Sequence, residues 1–158
     1  MTTMPLRIRS ATTRDVDDLV RVINAAFVVE RFFINRDRTD AETVRARFAK
    51  GGFLVGEDAT GRIVACVYTE QRGDHGYFGL LSVAPECKRR GHGRQLIDFV
   101  ETRFRTAGCS QVDIRVVNLR TELPPFYRRL GYVESGTEPL EDPRALQPCH
   151  FVLMSKPL

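Results

Sequence analysis

The 158-residue chain has no tryptophan, three methionines and four cysteines. Cys66, Cys87, Cys109 and Cys149 form no Cys-x-x-Cys pair, and His75, His92 and His150 keep no ligand spacing with them. These absences argue against a disulfide framework and a structural zinc site, and no metal is expected. The thiols inside apolar runs read as small core residues of a protein from a reducing cytosol. Lysine is scarce: among 24 basic residues only Lys50, Lys88 and Lys156 are lysines. Long hydrophobic runs are missing too, since the longest, such as residues 63–68, have the length of a strand. Residues 1–10 offer no apolar stretch for a signal peptide. No membrane partner is therefore expected, and the expected location is cytoplasmic.

What is present suits one soluble domain spanning residues 1–158. Hydrophobic residues make up 42% and charged residues 28%, near the globular average, which argues against disorder and fibrous repeats. A chain of this length buries about 68–70% of its unfolded surface, enough for a core without disulfides. The net charge of +4 permits an anionic ligand without requiring nucleic acid. The 24 basic residues are interleaved with 20 acidic ones and no array of stacking aromatics accompanies them, so no nucleic-acid partner is expected.

Hydrophobic periodicity predicts alternating strands and helices. Leu6 and Ile8 alternate with Arg7 and Arg9 in a half-exposed strand over residues 6–11. Thr12 or Thr13 opens a helix with Asp15, Asp17 and Asp18 in its first turns and an apolar stripe of Val16, Leu19, Val20, Ile23 and Phe27. The pattern Thr39-x-x-Glu42 predicts the cap of a second helix that ends at Gly51-Gly52. The period then changes to two. Residues 53–56, 63–70 and 77–83 read as strands joined by turns at 58–61 and 72–76. A helix over 91–107, a strand over 112–116, a short helix over 124–130 and a last strand over 149–154 complete the chain. The expected fold is mixed α/β (α+β), with antiparallel strands ahead of a strand–helix–strand unit.

The segment between Val83 and Leu96 carries the chemistry. A strand ends, a basic loop follows, and Gly91 and Gly93 sit where a helix begins. Glycines let backbone N–H groups approach a ligand, and the first helical turn offers unpaired donors at the positive end of the dipole. Lys88, Arg89, Arg90 and Arg94 add cationic side chains around the same point, so a pyrophosphate is the expected guest. Neither G-x-x-x-x-G-K-[ST] nor a full G-x-G-x-x-G is present.

Val83, Pro85, Lys88, Gly91 and Gly93 match in order the pattern V-x-P followed by [Q/R]-x-x-G-x-[G/A]. This stretch resembles the acetyl-CoA-binding motif of the GNAT superfamily of N-acetyltransferases. Lys88 stands where that family usually has Gln or Arg, keeping the charge but losing the planar fork. Arg89 and Arg90 beside it can carry part of that role. The resemblance extends over residues 6–156. It implies a mostly antiparallel sheet of roughly six to seven strands with about four flanking helices, and a strand splayed at the CoA site. It also implies acetyl-CoA as cosubstrate, with Leu81, Ser82 and Val83 pairing with the pantetheine arm and His92 lying within the pyrophosphate loop. Leu80 and Leu81 break strict alternation, as a bulge or splay requires. His92 itself is expected to point outward.

A second motif runs from Asn118 to Tyr132 and resembles the family's segment ending in a Tyr-x-x-Leu-Gly-aromatic turn, with Tyr127, Leu130, Gly131 and Tyr132 in place. By that resemblance Asn118 bonds the CoA arm and Tyr127 protonates the departing thiolate. A phenol with a pKa near 10 is protonated at pH 7 and can donate to an anionic sulfur. The alternative is that Tyr127 only packs. No residue identifies itself as the base; Glu70, at the end of the strand beside the CoA strand, and Glu30 are the candidates.

Residues 30–39 mix aromatics with charges, the composition of a binding loop. Glu30, Phe32 and Phe33 are candidate acceptor contacts, with Phe32 and Phe33 equally readable as core anchors. Arg31, Arg36 and Arg38 hint at an acceptor carboxylate. The partner expected is a small-molecule amine or peptide amine, the chain acting as monomer or homodimer. Amino acid, polyamine, antibiotic and protein N-terminus all remain open, as does a longer acyl donor. Two rival readings stand beside acetyl transfer by direct attack. One is a non-catalytic acyl-CoA-binding or regulatory module; the other is a nucleic-acid-binding domain using the same arginines.

Overall fold

Thr12 caps the short 3-10 turn that leads into the first helix: its side chain accepts a hydrogen bond from the Arg14 N–H while the Asp15 carboxylate accepts from the Thr12 N–H at 2.8 Å. This capping box satisfies donors that the first turn would otherwise leave bare. In the computed structural model, which describes residues 5–158, strand β1 (Arg7–Ser10) leads through that turn into α1 (Val16–Ala26). The initial four residues, part of the stretch read above for a signal, lie outside the described residues.

Helix α2 (Ala41–Arg47) begins one residue later than Thr39-x-x-Glu42 suggests. Asn24 holds the backbone of Thr39 at both its N–H (2.9 Å) and its carbonyl (3.0 Å), so Asp40 becomes the cap and accepts from the Thr43 N–H at 2.7 Å. Strands β2 (Gly52–Glu57), β3 (Ile63–Arg72) and β4 (His75–Val83) follow as an antiparallel run. Helix α3 (His92–Thr106) then crosses to β5 (Gln111–Val117), which lies parallel to β4. Short α4 (Leu123–Arg129), β6 (Val133–Pro139) and β7 (His150–Pro157) complete a seven-stranded sheet in the order β1-β2-β3-β4-β5-β7-β6. The strand β6 has no counterpart in the periodicity: its residues are all exposed at the sheet edge.

Strand alternation divides the core between the two faces of the sheet. Leu54, Val67, Phe78 and Ile114 pack beneath Leu96, Ile97 and Val100 of α3. On the opposite face, Phe53, Val55, Cys66, Tyr68 and Tyr77 pack against Leu19, Val22 and Ile23 of α1 and Val44 of α2. Cys66, Cys87 and Cys109 are buried free thiols, and burial pushes the Cys66 thiol up to about 12. Among the described residues no helix is long and apolar enough to cross a membrane, and no group of three or more His, Cys, Asp or Glu side chains could hold a metal ion.

Candidate active site

The parallel pairing of β4 with β5 covers only three positions, His75 to Tyr77 against Gln111 to Asp113. Beyond them the strands diverge. A cavity of about 490 Å³ occupies the gap, lined by Phe78 to Leu81 of β4 and Ile114 to Val117 of β5, a volume typical of small-molecule sites. Opposite Val67 of β3, the register of β4 jumps from Gly79 to Ser82, so Leu80 and Leu81 form the expected bulge. Leu80 sits at φ 54°, a left-handed conformation unfavourable for leucine. The bulge sends Leu80 into the core under α1 and turns Leu81 toward α3. Ser82 is buried, and its hydroxyl donates to the Leu80 carbonyl at 2.9 Å, bracing the bulge rather than facing the cavity.

The N-terminus of α3 closes the cavity on one side. Gly91 takes the left-handed conformation at φ 78°, no side chain caps the helix, and no acid stands in its first turn. The early N–H groups are therefore free for an anion. A Cβ at Gly93 would make ordinary contacts, 3.8 Å from Leu81 and 4.0 Å from Val83. Lys88, Arg89, Gly91, Gly93 and Arg94 all line the cavity. Arg90 turns toward the Cys87 sulfur. His92 does not point outward as expected: it is 6% exposed, lines the cavity, and its Nδ1 is buried without a hydrogen-bond partner among the described residues. The left-handed turn at Gly91 carries the first helical side chain inward.

Tyr127 of α4 is buried and lines the same cavity, wedged edge-on against Phe126 and Tyr132 at 5.1 and 5.6 Å. Burial pushes its phenol well above the usual value, while the nearby Arg120 guanidinium opposes the shift. Asn118 is occupied elsewhere: its Oδ1 accepts from the His150 N–H at 2.8 Å, fixing the start of β7. Glu70 also lies outside the cavity lining, paired with Arg72 and accepting from the Tyr68 hydroxyl at 2.9 Å. Burial disfavours its charged form, but Arg72 and Tyr68 outweigh it and hold the carboxyl below its ordinary value.

Glu30 lines the cavity and accepts from Arg120 at 2.9 Å. Phe33 is a core anchor packed with Ile34 and Val117, and Phe32 is exposed with its ring edge-on to Phe33 at 4.7 Å. Neither phenylalanine reaches the cavity. Arg38, Arg47 and Arg120, in contrast, line it. Arg47 and Arg120 carried no sequence signal, being two arginines in an arginine-rich chain.

A cavity between diverging parallel strands, with an uncapped helix start at its rim, matches the motif read from the sequence. The Acetyltransferase (GNAT) domain family matches residues 49–134. This chain belongs to the GNAT acetyltransferase family. An amino-acid acetyltransferase of Pseudomonas putida is 28% identical over 140 residues, covering 87% of this chain and 30% of that protein. A mycothiol acetyltransferase of Propionibacterium freudenreichii is 29% identical, covering 84% of this chain and 45% of that protein. The chain thus spans less than half the length of these GNAT relatives. The fold is shared with the ribosomal-protein-S18-alanine N-acetyltransferase of Escherichia coli (TM-score 0.81, 16% identity, 96% of this chain and 93% of that one). It is shared as well with a phosphinothricin acetyltransferase of Sinorhizobium meliloti solved with AcCoA (TM-score 0.75, 16% identity, 98% and 89%).

Proposed function

We propose that this GNAT chain is a single N-acetyltransferase domain that moves an acetyl group from acetyl-CoA to a primary amine by direct attack. The observation that carries the reading is the cavity at the β4–β5 divergence, which reaches the α3 start on one face and α1 and α2 on the other. Acetyl transfer is also what the names of the curated relatives have in common. The residues present fit acetyl-CoA. The free N–H groups after Gly91, the cations of Lys88, Arg89 and Arg94, and the unpartnered His92 Nδ1 suit a pyrophosphate. Beyond Tyr77, β4 has no partner on the β5 side, so the backbone around Leu81 and Val83 is available to an extended arm.

Acetyl-CoA, when bound, supplies the acetyl group as a thioester. Tyr127 holds a proton at its hydroxyl throughout the neutral range, because burial keeps the phenol neutral. As the neutral amine forms its bond to the acetyl carbon and the carbon–sulfur bond breaks, the Tyr127 proton goes to the departing sulfur and the nitrogen gives up one of its own protons to solvent, leaving the amide. Arg120 stabilises the phenolate left behind, which recovers its proton from solvent. Thiol release from acetyl-CoA with a panel of primary amines tests the reading. Amine-dependent release supports it; bound acetyl-CoA with no release for any amine would leave a non-catalytic acyl-CoA-binding module instead.

A further inference from the structure

The loop between α1 and α2 contains Arg31, Arg36 and Arg38, and the structure separates their roles. Arg31 pairs with Asp37. Arg36 pairs with Asp142 at 2.7 Å, both side chains largely buried. Arg38 has no such partner among the described residues; its guanidinium lies 5.3 Å from the Phe27 ring centroid and lines the cavity. Arg47 of α2 joins it there, stacked 4.9 Å over the Tyr68 ring, with its Nε buried and without a hydrogen bond among the described residues. Burial first, and then the neighbouring Arg36 and Arg47 charges, push Arg38 down to about 10 against the opposing pull of the Glu30 carboxylate. Glu30 is the carboxylate on the cavity wall, and it is already engaged by Arg120. Two guanidiniums set against the Phe27 and Tyr68 rings, with no ion pair to a carboxylate among the described residues, are an arrangement suited to an anionic ligand.

Position decides which ligand they serve. Phe27, Arg38 and Arg47 belong to the α1–α2 face of the sheet, whereas the anion site at Gly91 belongs to the α3 face. The cations are therefore at the far end of the cavity from the pyrophosphate site. Building on the acetyltransferase reading, we infer that the acceptor is a small amine bearing a carboxylate, a free amino acid, whose carboxylate is held by Arg38 and Arg47. Guanidiniums present paired N–H donors matched to a carboxylate. Glu30, buried in the same wall, is placed to face the ammonium end of the same ligand. A peptide N-terminus and a polyamine lack the α-carboxylate and leave the two guanidiniums unmatched.

The test compares thiol release from acetyl-CoA for the proteinogenic amino acids, their α-amides, spermidine and a tripeptide, with calorimetry of acetyl-CoA binding run in parallel. The result expected is turnover of at least one free amino acid, with KM for its amide higher by about 10- to 100-fold, the loss of a charge-assisted pair. Arg38→Ala and Arg47→Ala should raise KM for the amino acid by a similar factor with acetyl-CoA affinity unchanged, and Arg38→Lys should recover part of it. Intact acetyl-CoA binding by each variant reports that it has folded. Turnover of amides, spermidine or the tripeptide as readily as the acids, or of no free amino acid at all by protein that binds acetyl-CoA, overturns the inference. Loss of acetyl-CoA affinity in both arginine variants overturns it too, assigning the pair to the cosubstrate. Failure of the wild-type chain to bind acetyl-CoA would instead overturn the acetyltransferase reading beneath it.

Discussion

Tyr127 has a physical reason to be more than packing: its ring is locked by neighbouring aromatics while the side chain reaches the cavity. Tyr127→Phe keeps that packing and removes the proton. The expected result is a fall in kcat of about 100-fold or more with acetyl-CoA affinity retained, measured by steady-state kinetics and calorimetry. An unchanged kcat would reduce Tyr127 to a core residue. Gly91 is the second test at this scale. At φ 78° with open space around it, an added methyl meets no atom within 4 Å and only the backbone is strained. Gly91→Ala should therefore cost about 1–2 kcal/mol, lowering Tm by roughly 2–8 °C, and weaken acetyl-CoA binding as the α3 N–H groups are re-aimed. Gly91 and Tyr127 were legible because each sits in a dense local pattern. Arg38 and Arg47 were harder to read, since what sets them apart, stacking on aromatic rings at the cavity wall without an ion pair, is a property of the fold. The inward turn of His92 was hidden for the same kind of reason, resting on one backbone angle.

Periodicity placed most elements within a residue or two because each buries one face. The strand β6 escaped because it buries neither face and is held by pairing with β7 alone. Tertiary pairing also shapes the loop that carries Arg38. The bridge between Ile34 and Ala145, the 2.7 Å hydrogen bond from the Leu146 N–H to the Phe33 carbonyl and the Arg36–Asp142 pair clamp it to the connection between β6 and β7. The Arg144 N–H and Arg36 hold the Asp142 carboxyl down at about 2. A depressed carboxylate contributes stability above its unfolded value near 3.9, and that contribution is lost as pH falls toward 2. The Leu146 amide resonance should therefore titrate with a midpoint near pH 2, and Asp142→Asn should loosen the clamp at every pH. A midpoint at the ordinary aspartate value would show that the pair contributes nothing.

The molecule as a whole is organised around a seam. Its sheet is continuous except where two parallel strands part, and the gap connects the two faces of the sheet, with cationic side chains at both ends. Composition had suggested that a modest net charge of +4 was unremarkable. The fold shows instead that its arginines are used unequally: Arg31 and Arg36 are held in ion pairs, while Arg38 and Arg47 line the cavity with no ion pair among the described residues. The continuity of that cavity was not legible in sequence, because its two ends come from segments about fifty residues apart that only the sheet brings together. Isothermal titration of the intact chain with acetyl-CoA tests the central claim most directly. The account predicts saturable binding at one site per chain, weakened by Arg94→Ala and by Gly91→Ala; no binding at millimolar acetyl-CoA would contradict it.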